Sequence, residues 1–405
     1  MIDRGRLERR IAELSAIGGK GTAVTRLGLS RDEERARALV GGWLAARGAR
    51  VRRDPAANLW ARFDPAGSEG RTPSILVGSH LDSVPEGGRF DGALGVLCAV
   101  EAVESLMDLQ APLPRPIEVV GWADEEGARF GVGLFGSTAA FGRLAPGVAE
   151  RKDRDGVSIE DALRSLGESG DPTLAKRDPK EFLAYLELHI EQGPRLADLG
   201  RALGVVSDIV GIYHARVTLR GRADHAGATV MSARADALAG AAEIVLAVES
   251  IARAHPDGVG TVGEIAARPG AKNVIPGECV FSLDLRAARG HEELVRRVLA
   301  EVERIAHTRG LQPTVDELAR VPVTPLDRGI ALLLRRAVKD VGVDADLLVS
   351  GAGHDAQNAQ LSGVPTGMIF VRSSGGSHTP REFASLDDAA LGARALAGAL
   401  RELAA

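Results

Sequence analysis

The run Gly78-Ser79-His80-Leu81-Asp82-Ser83-Val84-Pro85-Glu86-Gly87-Gly88-Arg89-Phe90-Asp91-Gly92 follows a short apolar segment, Ser74-Ile75-Leu76-Val77, and feeds a helix-like stretch over residues 93–107. A strand, a turn and a helix in that order read as one step of an α/β sheet, where ligands collect at the carboxyl ends of strands. His80 and Asp82 are two apart, so in extended chain they point the same way. A carboxylate placed there holds the far nitrogen of the imidazole and fixes its tautomer, as groups behind metal-bound histidines do. Gly87-Gly88 lets the chain fold back and carry Asp91 toward His80. Taken alone, the same residues also describe an ordinary polar strand end.

Working outward, residues 2–17 predict an amphipathic helix with Leu7, Ile11 and Leu14 on one face. A second helix is expected over 31–47, and strands over 51–53 and 58–62. A further strand, 116–122, ends in Asp124-Glu125-Glu126-Gly127, and another, 183–190, ends in His189-Ile190-Glu191-Gln192. Residues 151–181 are charged and punctuated by Gly and Pro, which reads as loop with a short helix at 158–166. The run Arg151–Asp155 is a solvated loop on this reading, and the apolar stripe 94–107 is core.

From about 207 to 321 the pattern changes. A strand (212–222), a helix (232–254), strands at 260–267 and 278–286, a helix (291–308) and a strand (311–320) give β-α-β-β-α-β, the split ferredoxin-like order. Helices at 327–341 and 386–403 and strands at 345–349 and 364–371 then restore α/β texture. The expected class is α/β: a discontinuous catalytic domain with a mixed sheet flanked by helices (1–206 and 322–405), interrupted by an inserted ferredoxin-like α+β domain (207–321).

The 405 residues are 45% hydrophobic and 26% charged, with net charge −5 and 3% aromatics, a balance that argues against nucleic acid as a partner. Cys98 and Cys279 each sit in an apolar run, as reduced core cysteines do. The first fourteen residues carry charges throughout, and no uncharged apolar stretch approaches membrane-spanning length, so a cytoplasmic protein is expected.

Three strand ends now carry metal-type ligands: His80 with Asp82 and Asp91, Glu125-Glu126, and His189. A fourth candidate is His378 in Ser374-Gly375-Gly376-Ser377-His378-Thr379-Pro380. Five ligands fit two divalent ions sharing one carboxylate, the clamp that hydrolyses with an activated water. Imidazole and carboxylate suit Zn, Mn, Co or Ni alike. In extended chain Glu125 and Glu126 project to opposite sides, so one can bind metal while the other faces the water as general base.

With these runs assembled, the chain resembles the M20-type dinuclear metal amidohydrolases, within them the N-carbamoyl-L-amino acid hydrolase and allantoate amidohydrolase branch. The matching segments are 78–95, 124–137 (DEEGARFGVGLFGS), 187–194 (ELHIEQGP), 221–227 (GRADHAG), 273–286 (NVIPGECVFSLDLR), 350–356 (SGAGHDA) and 375–380. They span nearly the whole chain in order, and the histidine of ELHIEQGP separates this branch from general M20 peptidases.

The resemblance implies that Asp91 bridges two metals, that His80 and His189 serve opposite ions, and that Glu126 and His378 complete the set. It implies Glu125 as general base and Asp82 as the carboxylate orienting His80. His225, Asn273 and Arg286, from the inserted domain, would reach substrate partly across a homodimer, with Gln192 and the Gly353 backbone lining the same pocket. His225 would donate to the oxyanion and Arg286 grip a carboxylate bidentately. His354 reads equally as a substrate-side group or a loop histidine. His214, His255, His291 and His307 are expected on solvated faces without chemistry. Two positions depart from the family pattern: Gly376 replaces an apolar residue before Ser377-His378, which is expected to loosen that loop, and Val230 replaces a proline before Met231.

The implied activity is cleavage of the ureido C–N bond of N-carbamoyl-L-amino acids. Allantoate, β-ureido acids (β-ureidopropionase) and ureidoglycolate are neighbouring substrates, with N-acyl amino acids and peptides further off. An inactive binding module is the remaining alternative, and intact Glu125 with all five ligands argues against it.

Overall fold

Strand Ser74–His80 is buried along its whole length, as befits a strand with neighbours on both edges and helices over both faces. It runs parallel to Ile117–Trp122 on one side and to Phe182–Ile190 on the other. Thr366–Val371 continues the parallel order beyond Phe182–Ile190, and Leu203–Ile209 lies antiparallel beyond that. On the opposite flank Leu59–Phe63 and Arg50–Arg53 are antiparallel, so the sheet is mixed. Its register sets Val77 opposite Leu186, and three residues further along each strand stand His80 and His189, whose Nε2 atoms lie 3.4 Å apart.

This computed structural model describes residues 1–65, 72–110 and 113–405. They divide into two units, Met1–Ser207 with Leu326–Ala405, and Asp208–Pro325.

In the first unit, helix Ala93–Asp108 is buried on nearly every face, the property of a helix enclosed by a core rather than laid on one. It shares one apolar cluster with strands Ser74–His80 and Phe182–Ile190 and with helix Leu386–Ala404. Each Leu or Val closed into such a cluster stabilises by roughly 1.5–3 kcal/mol. Two glutamates lie in that same apolar stripe. Glu101 and Glu104 are buried and paired with Arg6 and Arg10 of helix Arg4–Ser15, at 2.6 and 2.8 Å. The face of that helix expected to be apolar therefore buries Leu7, Leu14 and also Arg10.

The second unit has a sheet whose order is Gln312–Val321, Gly211–Arg220, Glu278–Ala287, then Val259–Thr261 and Ile265–Arg268, all antiparallel. Numbered along the chain that is 4-1-3-2, the ferredoxin-like arrangement. Alternate residues of Glu278–Ala287 are buried, because only one face carries the helices Ala237–Arg253 and His291–Thr308. The strand expected over 260–267 is instead two short ones. Between them Gly263 and Glu264 donate their N–H groups to Ser282 Oγ, at 3.1 and 3.0 Å, instead of to a backbone carbonyl.

His291 also departs from expectation. Its ring is buried, with Nε2 3.3 Å from the Leu285 carbonyl. His255 is likewise enclosed, 3.2 Å from Asp257.

Candidate metal centre

His80 ends its strand with Nδ1 3.2 Å from Asp82 Oδ1 and Nε2 facing His189 Nε2 at 3.4 Å. The chain then returns through Gly87-Gly88 and places Asp91 between the ligands. Gly92 makes that return possible on two counts. Its φ is +61°, and a Cβ there would lie 2.3 Å from the His80 ring. Glycine alone meets both conditions.

Asp91 presents its two oxygens to two different groups. Oδ1 lies 3.6 Å from His80 Nε2 and 3.2 Å from His189 Nε2, while Oδ2 lies 3.5 Å from His378 Nε2. His378 Nε2 is in turn 3.1 Å from Glu126 Oε2. Two ligand triads result, His80–Asp91–His189 and Asp91–Glu126–His378, joined through one carboxylate. This corrects the expectation that His80 and His189 serve opposite ions. Adjacent parallel strands end at the same level and put both imidazoles on one side of Asp91.

The residues fit a pair of divalent cations. Among the described residues, the buried oxygens Asp91 Oδ1 and Glu126 Oε1 have no hydrogen-bond partner, a costly state for carboxylate oxygens unless a cation fills it. Mixed imidazole and carboxylate donors suit first-row divalent ions. A third group, Glu187 with His189 and His354, is different. Glu187 already accepts from Ser79 Oγ at 2.8 Å, Tyr185 OH at 3.1 Å and Ala356 N at 2.9 Å, so it braces the floor of the site. His354 is buried, its ring 4.5 Å from His189 and its Nε2 2.8 Å from Ser350 Oγ. Gly353 immediately precedes it.

The Asp124–Glu126 segment does not continue the strand. Asp124 has φ +48°, and the N–H groups of Glu125 and Glu126 both donate to the Asp82 carboxylate, at 3.0 and 3.1 Å. One carboxylate thus orients His80 and turns the two glutamates apart. Glu125 Oε2 comes 3.7 Å from His80 Nε2 and Glu126 goes to His378. Gln192 and His378 also sit at positive φ, +63° and +58°. Backbone of this kind costs about 1–2 kcal/mol per residue and gathers at functional sites.

Charge crowding tunes these groups. Burial, opposed by His80 and reinforced by Asp355, Glu126 and Asp82, pushes the Glu125 carboxyl well above the ordinary range. Burial also acts to raise Asp91, but the His189 and His80 rings overcome it and hold the carboxylate well below its usual value. The bond to Glu126 lifts His378 to about 8.

Three residues around Asp91 have roles that the motif reading did not give them. Gln192 Nε2 and Ser377 Oγ donate to Asp91 Oδ2 at 2.8 and 2.7 Å. Glu382 Oε1 accepts the N–H groups of Phe90 and Asp91. Ser377 lay inside a recognised motif and Glu382 just beyond it, so the signal was proximity to His378 alone. The loop around Gly376 is tied by Thr379 Oγ1 to the Gly375 and Gly376 carbonyls, both at 3.2 Å. Gly376 has φ +84°, a conformation glycine adopts without cost.

In the second unit, His225 pairs across from Val274, and the Asn273 carbonyl accepts Ala226 N–H at 3.0 Å, so His225 and Asn273 are neighbours. Gly227 and Ala228 N–H both donate to His225 Nδ1 at 3.0 Å, which leaves the ring proton on Nε2. Arg286 is held bidentately by Asp284, at 2.9 and 2.8 Å. It stands near the opposite end of strand Glu278–Ala287 from Ile275, His225 and Asn273.

The chain belongs to the peptidase family M20/M25/M40, which it matches over residues 76–402. Among relatives, it is 40% identical to an N-carbamoyl-L-amino acid amidohydrolase of Geobacillus stearothermophilus, over 98% of this chain and 97% of that one. It is 35% identical to an allantoate amidohydrolase of Bacillus subtilis, over 96% and 94%. The crystal structure of a hydantoinase/carbamoylase family amidase from Burkholderia multivorans matches with TM-score 0.88 and 34% identity, covering 100% of this chain and 98% of that one.

Proposed function

We propose that this protein is a metal-dependent amidohydrolase that cleaves the ureido C–N bond of N-carbamoyl-L-amino acids, with release of the amino acid, ammonia and carbon dioxide. The observation that carries the reading is the division of Asp91 between two ligand triads, with Glu125 beside the one that holds His80. His80, Asp91 and His189 would hold one divalent ion, and Asp91, Glu126 and His378 the other. Such a pair supplies Lewis-acid polarisation of the ureido carbonyl and an acidified water. Glu125 takes the proton of the attacking water at Oε2 and delivers it to the leaving nitrogen. Asp82 keeps that geometry by fixing both His80 and the Glu125 backbone.

His225, Asn273 and Arg286 are the substrate-binding residues of this proposal. His225, protonated on Nε2, is a neutral donor suited to a developing oxyanion. Arg286 grips the amino-acid carboxylate. About eight strand residues, or roughly 27 Å at the usual rise, separate Arg286 from the His225 end of the sheet. One small ureido acid cannot touch both ends within one chain, which supports a homodimer in which two copies complete each site. The inserted unit is then the dimerising and closing domain, with hinges near Ser207 and Val321. A cytoplasmic setting belongs to the same reading, supported by Cys98 and Cys279, both buried and unpaired.

The test is ammonia release from N-carbamoyl-L-methionine and from allantoate, side by side, by enzyme loaded with Mn or Co. Turnover mainly of the first, with free methionine in equal amount, establishes the carbamoylase reading. Turnover mainly of allantoate keeps the site and changes the substrate. Ammonia from neither overturns the ureido reading.

A further inference from the structure

On the antiparallel flank of the large sheet, the register gathers arginines on one face. Arg50 pairs with Arg62 and Arg52 with Trp60, while Arg62 and Trp60 pair in turn with Glu118 and Val120. Directly opposed residues share a face of the sheet, so Arg50, Arg52, Trp60, Arg62 and Glu118 all project the same way. Arg177, from the segment preceding Phe182–Ile190, lies over that face with its guanidinium carbon 4.5 Å from the Trp60 ring centre. Together these side chains line a cavity of about 330 Å³. Glu118 stands at the beginning of Ile117–Trp122, the end remote from Glu125 and Glu126, and the cavity shares no residue with the metal centre.

Like charges opposed across strands repel, and three of these arginines have that repulsion offset. Asp64 takes Arg50 and Arg62, both at 2.7 Å, and Glu118 takes Arg62 at 2.8 Å and Arg177 at 2.7 Å. Arg52 is different. Among the described residues it has no hydrogen bond or ion pair, and its guanidinium rests against the Trp60 ring, 5.1 Å from the centre. Burial and the neighbouring charge of Arg177 push it below the ordinary arginine value. Arg62 adds a second open donor: its Nη2 is buried with no hydrogen-bond partner among the described residues, a state that costs stability until it is met. We propose that this cavity binds a phosphate-type oxyanion, held by Arg52 and Arg62 with Arg50 and Arg177 at its rim. Arginine forks match phosphate oxygens in pairs, and donors arriving from two strands and a preceding segment suit a tetrahedral anion better than a flat carboxylate. The volume falls within the range of small-molecule pockets, roughly 300–1,000 Å³, so a phosphate carrying a small organic group also fits. The site stands independently of the ureido reading.

The experiment is titration of the full-length protein with inorganic phosphate or glycerol phosphate, against sodium chloride at equal ionic strength, read by calorimetry and tryptophan fluorescence. Trp60 and Trp122 pack edge to face at 5.4 Å and are two of the three tryptophans, so the fluorescence reports the cavity. The expected result is a saturable change with phosphate that chloride does not reproduce. Arg52→Gln should weaken it about tenfold or more. Should that variant fail to fold, Arg50→Gln, whose parent side chain is 72% exposed, carries the same comparison. Tighter binding of glycerol phosphate assigns the site to an organic phosphate, and tighter binding of inorganic phosphate to the free ion. A response that chloride matches overturns the proposal. So does phosphate binding that Arg52→Gln leaves unchanged, as binding to metal ions elsewhere would be.

Discussion

Glu382 Oε1 accepts the backbone N–H groups of Phe90 and Asp91 at 2.9 and 3.1 Å, across 292 and 291 residues of chain. A Cβ on Gly88 would sit 2.1 Å from that same oxygen, so the glycine turn and the glutamate occupy one another's space. Burial, reinforced by the charge of Asp91, pushes the Glu382 carboxyl up to about 7. The loop bearing His378 and the loop bearing Asp91 are thereby tied through a single side chain.

Replacing Glu382 by Ala should release Asp91 from its position. Two buried N–H groups would lose their acceptor, at about 1–3 kcal/mol each. The expected outcome is a lower melting temperature together with weaker metal binding, while Glu382→Gln, which keeps an amide oxygen, recovers most of both. Calorimetric melting of the stripped and loaded forms separates the two effects. Equal metal affinity in wild type and Glu382→Ala would sink the assignment.

Glu125→Gln tests the proton carrier. The amide is nearly isosteric but cannot take a proton from water, so kcat should fall by about two to four orders of magnitude. Bound metal and KM should stay near wild type, since Glu125 belongs to neither triad. A variant retaining a tenth or more of wild-type kcat would move the role to another group.

How much of this was legible beforehand divides along strand order. His80, Asp91, Glu126, His189 and His378 stood at strand ends or in a glycine-rich motif, where residue type and position already pointed to metal. Which imidazole shares an ion with which depends on the lateral neighbours of Ser74–His80, and pattern along one chain does not encode that. The ferredoxin-like unit was readable because its β-α-β-β-α-β periods are long and regular. The buried states of His291 and Glu101 were not, because a polar residue in an amphipathic run looks solvated until its partner is known. Arg6 binds Glu101 from 95 residues away, and no local pattern announces it.

Glu118 gives a pH dependence with a definite sign. Burial acts to raise its carboxyl, but Arg177, Ser74 and Arg62 together hold it below the ordinary value; Arg177 Nη1 and Arg62 Nη1 lie 2.7 and 2.8 Å away. A group whose folded pKa is depressed stabilises fully above its unfolded pKa, about 4.3, and loses that contribution as pH falls through the folded value. Glu118→Gln should therefore melt lower than wild type at pH 7. The gap should narrow steadily below about pH 4.3. Melting curves of both proteins from pH 7 to pH 3 check this, and a gap independent of pH would show that the ion pairs contribute little.

The last prediction concerns Gly92, where chain conformation and metal ligation meet. Gly92→Ala forces a methyl group against the His80 imidazole at 2.3 Å and imposes a side chain on φ +61°. Left-handed backbone alone costs an alanine about 1–2 kcal/mol. The contact adds more, because His80 is walled in by Asp82 and His189 and has nowhere to retreat. The ring must turn, and turning it removes Nε2 from the first triad. The expected outcome is folded protein with a modestly reduced melting temperature that no longer takes up an ion at the His80–Asp91–His189 triad. Circular dichroism establishes the fold and ion counting the vacancy. Normal uptake of both ions by folded Gly92→Ala would mean that His80 is not a ligand.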